Sequence, residues 1–241
     1  MLTWETIDRA RAPDGTELLL ARRGVKNCEW VVRAAGHVLM SSRAHGSEVT
    51  LAEYALERVA APRAVLVGGL GLGFTLRAAL DRLPPDSRVT VVELVPELAE
   101  WSRLHVGDLA RRPLDDPRCK LKIGDVFDAI SASRSAFDLL LLDVDNGPSA
   151  LAHARNNRLY SESGVGACWT ALRPGGVLAL WSAGQDARYA GTLDRAGFEV
   201  EVKTVAARKG SGARDVLFLA TKAATKTATK TPTRSAVKKA R

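Results

Sequence analysis

Short runs of alternating polar and apolar positions mark the chain between Thr16 and Ser41. Asp14-Gly15 is a turn signal ahead of TELLLAR, and Glu29 to Arg33 (EWVVR) and His37 to Ser41 (HVLMS) flank the link Ala34-Ala35-Gly36. Two alternating runs joined by a short glycine-containing link predict a β-hairpin, so residues 1–50 are read as a small β region. Leu51 to Val59 (LAEYALERV) then predicts a helix that ends before Pro62.

From Ala64 the pattern changes. AVLVGG, RVTVVEL, CKLKIGD, FDLLLLDVD and GVLALWS are short apolar runs that predict strands. Between them FTLRAALDRL, PELAEWSRLHV (opened by Pro96), VFDAISAS and SGVGACWTAL predict helices. Strands this uniformly apolar, separated by helices, indicate a parallel sheet covered on both faces. GTLDRAGFEVEVKTV and RDVLFLAT, joined through Lys209-Gly210-Ser211-Gly212, predict a helix and an antiparallel hairpin at the sheet edge. The expected fold class is therefore α/β, a doubly wound and mostly parallel sheet over residues 51–220.

Composition and charge refine this. A hydrophobic fraction of 46% in 241 residues is that of a globular chain with ample material for a core. The net charge of +8 is a property of one segment, because residues 221–241 hold 7 of the 35 basic residues and no acid. Lys222, Lys226, Lys230, Arg234 and Lys238 recur every four residues there among Thr, Ala and Pro232, which predicts a disordered tail. Such a tail either keeps the chain soluble or makes weak, sequence-independent contacts with nucleic acid by counterion release. No apolar run reaches the roughly 20 residues a bilayer requires, and MLTWETIDRAR has no leader pattern, so a cytoplasmic protein without a membrane partner is expected. Cys28, Cys119 and Cys168 are scattered, with no ligand-like spacing, and neither a disulfide framework nor a metal is expected.

The candidate chemistry lies at the carboxyl ends of the predicted strands. Gly68, Gly69, Gly71 and Gly73 follow the first parallel strand, where a tight turn brings bare backbone near a ligand. Glu93, about twenty residues on, ends the second strand, where a carboxylate can accept both hydroxyls of a ribose. Asp125 ends the third strand and can accept from an adenine amino group, or can cap the helix beginning at Val126. Asp143 and Asp145 end the fourth, placed to orient or deprotonate an amine or hydroxyl, while Asn146-Gly147-Pro148 suits a turn. Trp181, Ser182 and Gln185 follow the fifth strand and either line an acceptor pocket or cap the next helix. Arg155 and Arg158 either close over the acceptor or lie in a solvated loop.

VLVGGLGLGFTLR, VVELVPEL, DPRCKLKIGDVF, FDLLLLDVDNGP, LYSESG and ALRPGGVLALWS together resemble the spermidine synthase family, the polyamine aminopropyltransferases, over roughly residues 38–182. That resemblance implies the seven-stranded, Rossmann-like sheet of class I S-adenosylmethionine-dependent methyltransferases, behind a small N-terminal β region. It implies that Gly69, Gly71, Gly73, Glu93 and Asp125 bind S-adenosylmethionine or decarboxylated S-adenosylmethionine as donor, that Asp143 and Asp145 are catalytic, and that the chain pairs as a homodimer. Glu48 and Glu53 match the family's acidic segment after the hairpin. Two positions depart from the family pattern. Leu72 stands where the glycine loop usually carries an acid for the donor's amine, and Asp143-Val144-Asp145 is one residue shorter than the usual D-x-x-D.

These departures tilt the sequence reading toward a transferase that passes a methyl group to a small nucleophile, since methyl transfer from a sulfonium needs mainly alignment and desolvation. The alternatives are aminopropyl transfer to a di- or polyamine, and a non-catalytic nucleoside-binding protein tethered to nucleic acid by its tail.

Overall fold

In the computed structural model the described residues are 3–144, 157–206 and 214–224. The tail beyond Ala224 and the Lys209-Gly210-Ser211-Gly212 turn lie outside them. A four-stranded antiparallel sheet comes first, in the order β1 (Glu5–Arg11), β2 (Glu17–Arg23), β3 (Glu29–Ala34), β4 (His37–Ser41). The β3–β4 pair is the expected hairpin, closed at Ala35-Gly36. β1 was not expected, because Ala10 is its one buried residue and the hydrophobic pattern is silent. It pairs with β2 along an antiparallel ladder, across which Arg22 meets Glu5 at 2.8 Å and Arg9 meets Glu17 at 3.1 Å.

Helix α1 (Gly46–Leu56) follows and starts five residues before the expected point. Gly46 and Ser47 are poor helix formers, but burial of Ser47 and a 2.7 Å bond from Thr50 Oγ1 to the Gly46 carbonyl hold the first turn. Glu48 thereby gains a fixed position in that turn.

The main sheet has seven strands in the order β10-β11-β9-β8-β5-β6-β7. β5 (Ala64–Gly68), β6 (Arg88–Glu93), β7 (Cys119–Ile123), β8 (Phe137–Leu142) and β9 (Leu172–Ser182) run parallel. β10 (Phe198–Ala206) and β11 (Arg214–Lys222) form the antiparallel edge. The helices are α2 (Phe74–Arg82), α3 (Pro96–Trp101), α4 (Val126–Ser131), α5 (Asn157–Tyr160), α6 (Glu162–Ala171) and α7 (Ala187–Arg195). The expected doubly wound α/β class is thus realised, and the run LLLL shows why. Leu140 and Leu142 pack into the core on one face, with Leu66 and Val92, while Leu139 and Leu141 pack into the other, with Val65 and Val67. All four are fully buried, each contributing about 1.5–3 kcal/mol relative to exposure.

The expected helix over 96–106 is regular only to Trp101, and one π turn covers Ser102–Val106. Any side chain at Gly107 would collide with the Ser102 carbonyl. A third cluster joins the two sheets: Leu18, Leu20 and Val32 pack on Leu72, Val95, Leu98 and Trp101. Trp101 is a core aromatic whose Nε1 donates to Asp8 across that junction at 2.8 Å.

Candidate functional site

β5 leads to β6 and β7 on one side, and the chain then crosses to β8 on the other. The direction of winding reverses between the carboxyl ends of β5 and β8, which is where open α/β sheets hold ligands. Gly68 and Leu142 are register partners there, and the Asp143 N–H donates to the Gly68 carbonyl at 2.9 Å. Gly69 follows with φ +86°, and a Cβ on it would collide with the Asp143 carbonyl. The glycine therefore lets the two strand ends close on each other.

Glu93 ends β6 and is 5% exposed. Its Oε2 accepts from the Leu70 N–H at 2.8 Å and its Oε1 from the Val95 N–H at 2.9 Å. The carboxylate thus shapes the glycine loop and the entry to α3, and it borders the cavity described below. Asp125 caps α4, with Oδ1 accepting from the Phe127 N–H at 2.8 Å, and it also borders the cavity. The capping role and a place at the site coexist.

These strand ends line a cavity of about 300 Å³ that includes Gly69, Gly71, Glu93, Asp125 and Asp143. Its roof was missed in the sequence: the β1–β2 turn, Ala12 to Asp14, reaches over it, as do Leu39 and Met40 of β4. Asp14-Gly15 signals only a turn, and nothing in the pattern says what the turn overhangs. Gly73 lies apart from this lining. It caps α2 with φ +88° and packs against Pro113.

A smaller cavity of about 70 Å³ adjoins the first and shares Leu39, Met40, Gly71 and Asp143 with it. Its remaining lining includes Glu48, Leu72, Phe74 and Trp181. Trp181 thus belongs to this pocket, with a buried Nε1 that has no hydrogen-bond partner among the described residues. Ser182 instead binds the Gly184 carbonyl at 2.7 Å, and α7 is capped by Asp186. At the junction Thr75 Oγ1 donates to Asp143 Oδ2 at 2.6 Å, a tether the sequence analysis did not find. Phe74 is backed by His45, whose ring stacks on it at 3.8 Å.

Of the two acids expected upstream, Glu48 enters the inner cavity, whereas Glu53 pairs with Arg82 at 2.7 Å. Burial, reinforced by the Asp143 carboxylate, pushes the Glu48 carboxyl up to about 8. Ser47 Oγ donates to its Oε2 at 3.0 Å. Arg158 is among the lining residues of neither cavity and lies beside Asp125. Its guanidinium lies 4.0 Å from the Phe127 ring, 3.7 Å from Asp125 and 3.0 Å from Asp128. Asp145, the turn after it and Arg155 lie outside the described residues.

Residues 45–187 match the spermine/spermidine synthase domain family. The chain belongs to that family. Among curated relatives, polyamine aminopropyltransferase 2 of Pseudomonas aeruginosa is 35% identical over 123 residues, covering 49% of this chain and 33% of the relative. The polyamine aminopropyltransferase of Aeropyrum pernix is 27% identical over 191 residues, covering 73% of this chain and 58% of the relative. The chain therefore spans between a third and three fifths of the length of these relatives. A spermidine synthase solved with the transition-state analogue AdoDATO superposes with a TM-score of 0.74 at 19% identity, covering 90% of this chain and 73% of that one. The Thermotoga maritima spermidine synthase gives 0.71 at 18%, covering 90% and 72%. At such identities these structures establish the shared fold. No described helix is long and apolar enough to cross a membrane.

Proposed function

We propose that the chain is an aminopropyltransferase that takes decarboxylated S-adenosylmethionine as donor and a small di- or polyamine as acceptor. The observation that carries the reading is Asp143, tethered by Thr75 at the junction of a nucleoside-sized cavity and a smaller one that holds a second carboxylate. Glu93 and Asp125 would hold the ribose and adenine, with the sulfonium directed toward the junction. The acceptor nitrogen attacks the methylene carbon on sulfur, the C–N bond forms, and the C–S bond breaks with its electron pair left on sulfur. Methylthioadenosine leaves, and Asp143 takes the proton released by the attacking nitrogen. The cavities supply alignment and exclusion of water.

Methyl transfer, which the sequence analysis favoured on the strength of Leu72 and the shortened Asp spacing, finds no support in the comparisons. The relatives are named as aminopropyltransferases, and Glu48 places a second acid beside Asp143, as a cationic substrate requires. The test is to incubate the full chain with 1,4-diaminobutane and either donor, then assay products by mass spectrometry. Methylthioadenosine and an aminopropylated amine are expected from the decarboxylated donor. S-adenosylhomocysteine from the other donor, with no aminopropylated amine, would overturn the reading in favour of methyl transfer.

A further inference from the structure

Resting on that reading, we propose that Glu48 is the specificity-determining carboxylate of the inner cavity, where it receives a primary ammonium group carried by one of the two substrates. The lining of that cavity is the first argument. Leu39, Leu70, Leu72 and Phe74 supply hydrocarbon, which suits a methylene chain, and among the described lining residues Glu48 and Asp143 are the two acids. An ammonium cannot enter such surroundings without a counter-charge. Asp143 faces both cavities and is tied to Thr75 at their junction, where the reacting nitrogen must lie. Glu48 lines the inner cavity alone and is braced by Ser47.

The electrostatic surroundings of Glu48 are the second argument. Among the described residues the charged groups acting on Glu48 are Asp143, just after β8, and Asp215 on β11, both acidic, while the His45 imidazole is stacked on Phe74. Burial and two like charges keep a proton on Glu48, with the carboxyl near 8. A cation arriving in the cavity reverses that balance and expels the proton. At pH 7 a group titrating near 8 is about nine-tenths protonated, so binding should release close to one proton per ammonium bound.

The experiment is calorimetry on the full chain at pH 7, in two buffers of different ionisation enthalpy, with three titrations. Methylthioadenosine, which lacks an ammonium, is expected to bind with no proton release. Decarboxylated S-adenosylmethionine and, added to the methylthioadenosine complex, 1,4-diaminobutane are the two ammonium probes. Release of about one proton with the first assigns Glu48 to the donor's tail, and release with the second assigns it to the acceptor. In Glu48→Gln the release should vanish and affinity for the responsible probe should fall at least tenfold. Methylthioadenosine affinity should stay within about threefold, which also shows that the variant is folded. Proton-neutral binding of both probes, or release that persists in Glu48→Gln, would overturn the inference and leave the proposed function standing. Failure of methylthioadenosine itself to bind would overturn both.

Discussion

The two cavities that meet at Asp143 are built on opposite principles. In the outer one the acids are already committed to backbone: Glu93 accepts from two N–H groups and Asp125 from the first turn of α4. They are placed before a ligand arrives, which favours tight, geometry-dependent recognition of a nucleoside. In the inner one Glu48 is buried among hydrocarbon with a hydroxyl and like charges for company, and it holds its proton until something neutralises it. One pocket is preorganised by hydrogen bonds, and on the proposed reading the other is charged by its ligand. Variants at the junction and in each pocket should therefore fail in different ways.

The largest effect should come at the junction. Asp143→Asn keeps the shape and the Thr75 contact but removes the proton acceptor, so kcat for aminopropyl transfer should fall about 10²–10⁴-fold. Steady-state assays should show methylthioadenosine inhibition nearly unchanged, because the proposed ribose and adenine contacts are Glu93 and Asp125. Glu93→Ala should do the reverse. It strands the Leu70 and Val95 N–H groups, at a stability cost of about 1–3 kcal/mol, and removes the ribose acceptor. Methylthioadenosine affinity should fall roughly 10–100-fold, equivalent to about 1.4–2.8 kcal/mol, read by calorimetry alongside Tm. Unchanged affinity would remove Glu93 from the ribose site.

The same contrast explains what could be read from the sequence. The outer pocket sits where successive strands end, and each strand end is marked locally: a glycine run after AVLV, Glu93 after RVTVV, Asp125 after CKLKIG, Asp143 after FDLLLL. Periodicity finds the strands, so it also finds these residues. The inner pocket draws Glu48 from the first turn of α1, Leu72 from the glycine loop and Trp181 from the end of β9, positions that only the fold brings together. Residue patterns within any one segment carry no mark of it. β1 escaped for a related reason, since Ala10 is its one buried residue and its remaining neighbours lie on β2 and across the junction at Trp101. Thr75 has the look of an ordinary helical residue because its partner, Asp143, lies far along the chain, just after β8.

A smaller effect should separate the pockets by pH. The Glu48 carboxyl is raised in the folded chain, from about 4.5 to about 8, so the folded state holds a proton that the unfolded state has lost between those values. Its contribution to stability is fully present below about 4.5 and is lost as pH rises through about 8. Relative to Glu48→Gln, whose side chain does not titrate, the ligand-free wild type should lose Tm steadily from pH 5 to 8. Each kcal/mol lost corresponds to roughly 2–4 °C for a chain of this size. A constant difference between the two proteins over that range would show that Glu48 titrates normally.

The smallest effect should come from the far end of the outer pocket. Asp125 Oδ1 is taken by the Phe127 N–H, so Oδ2 is the oxygen left for an adenine amino group, and Arg158 draws on it from 3.7 Å. The Arg158 side chain is 47% exposed, which limits such a pair to about 0–1 kcal/mol. Arg158→Ala should therefore release Asp125 and tighten methylthioadenosine binding about two- to threefold at low salt. Because added salt screens the exposed pair in the wild type, the two proteins should converge toward the same affinity near 0.5 M, where the Debye length has shrunk to a few Å. The proton released by the ammonium probe should be identical in both, because that proton belongs to Glu48 at the other end of the site. Weaker binding in Arg158→Ala would instead assign the guanidinium, packed 4.0 Å from Phe127, to the support of the adenine end.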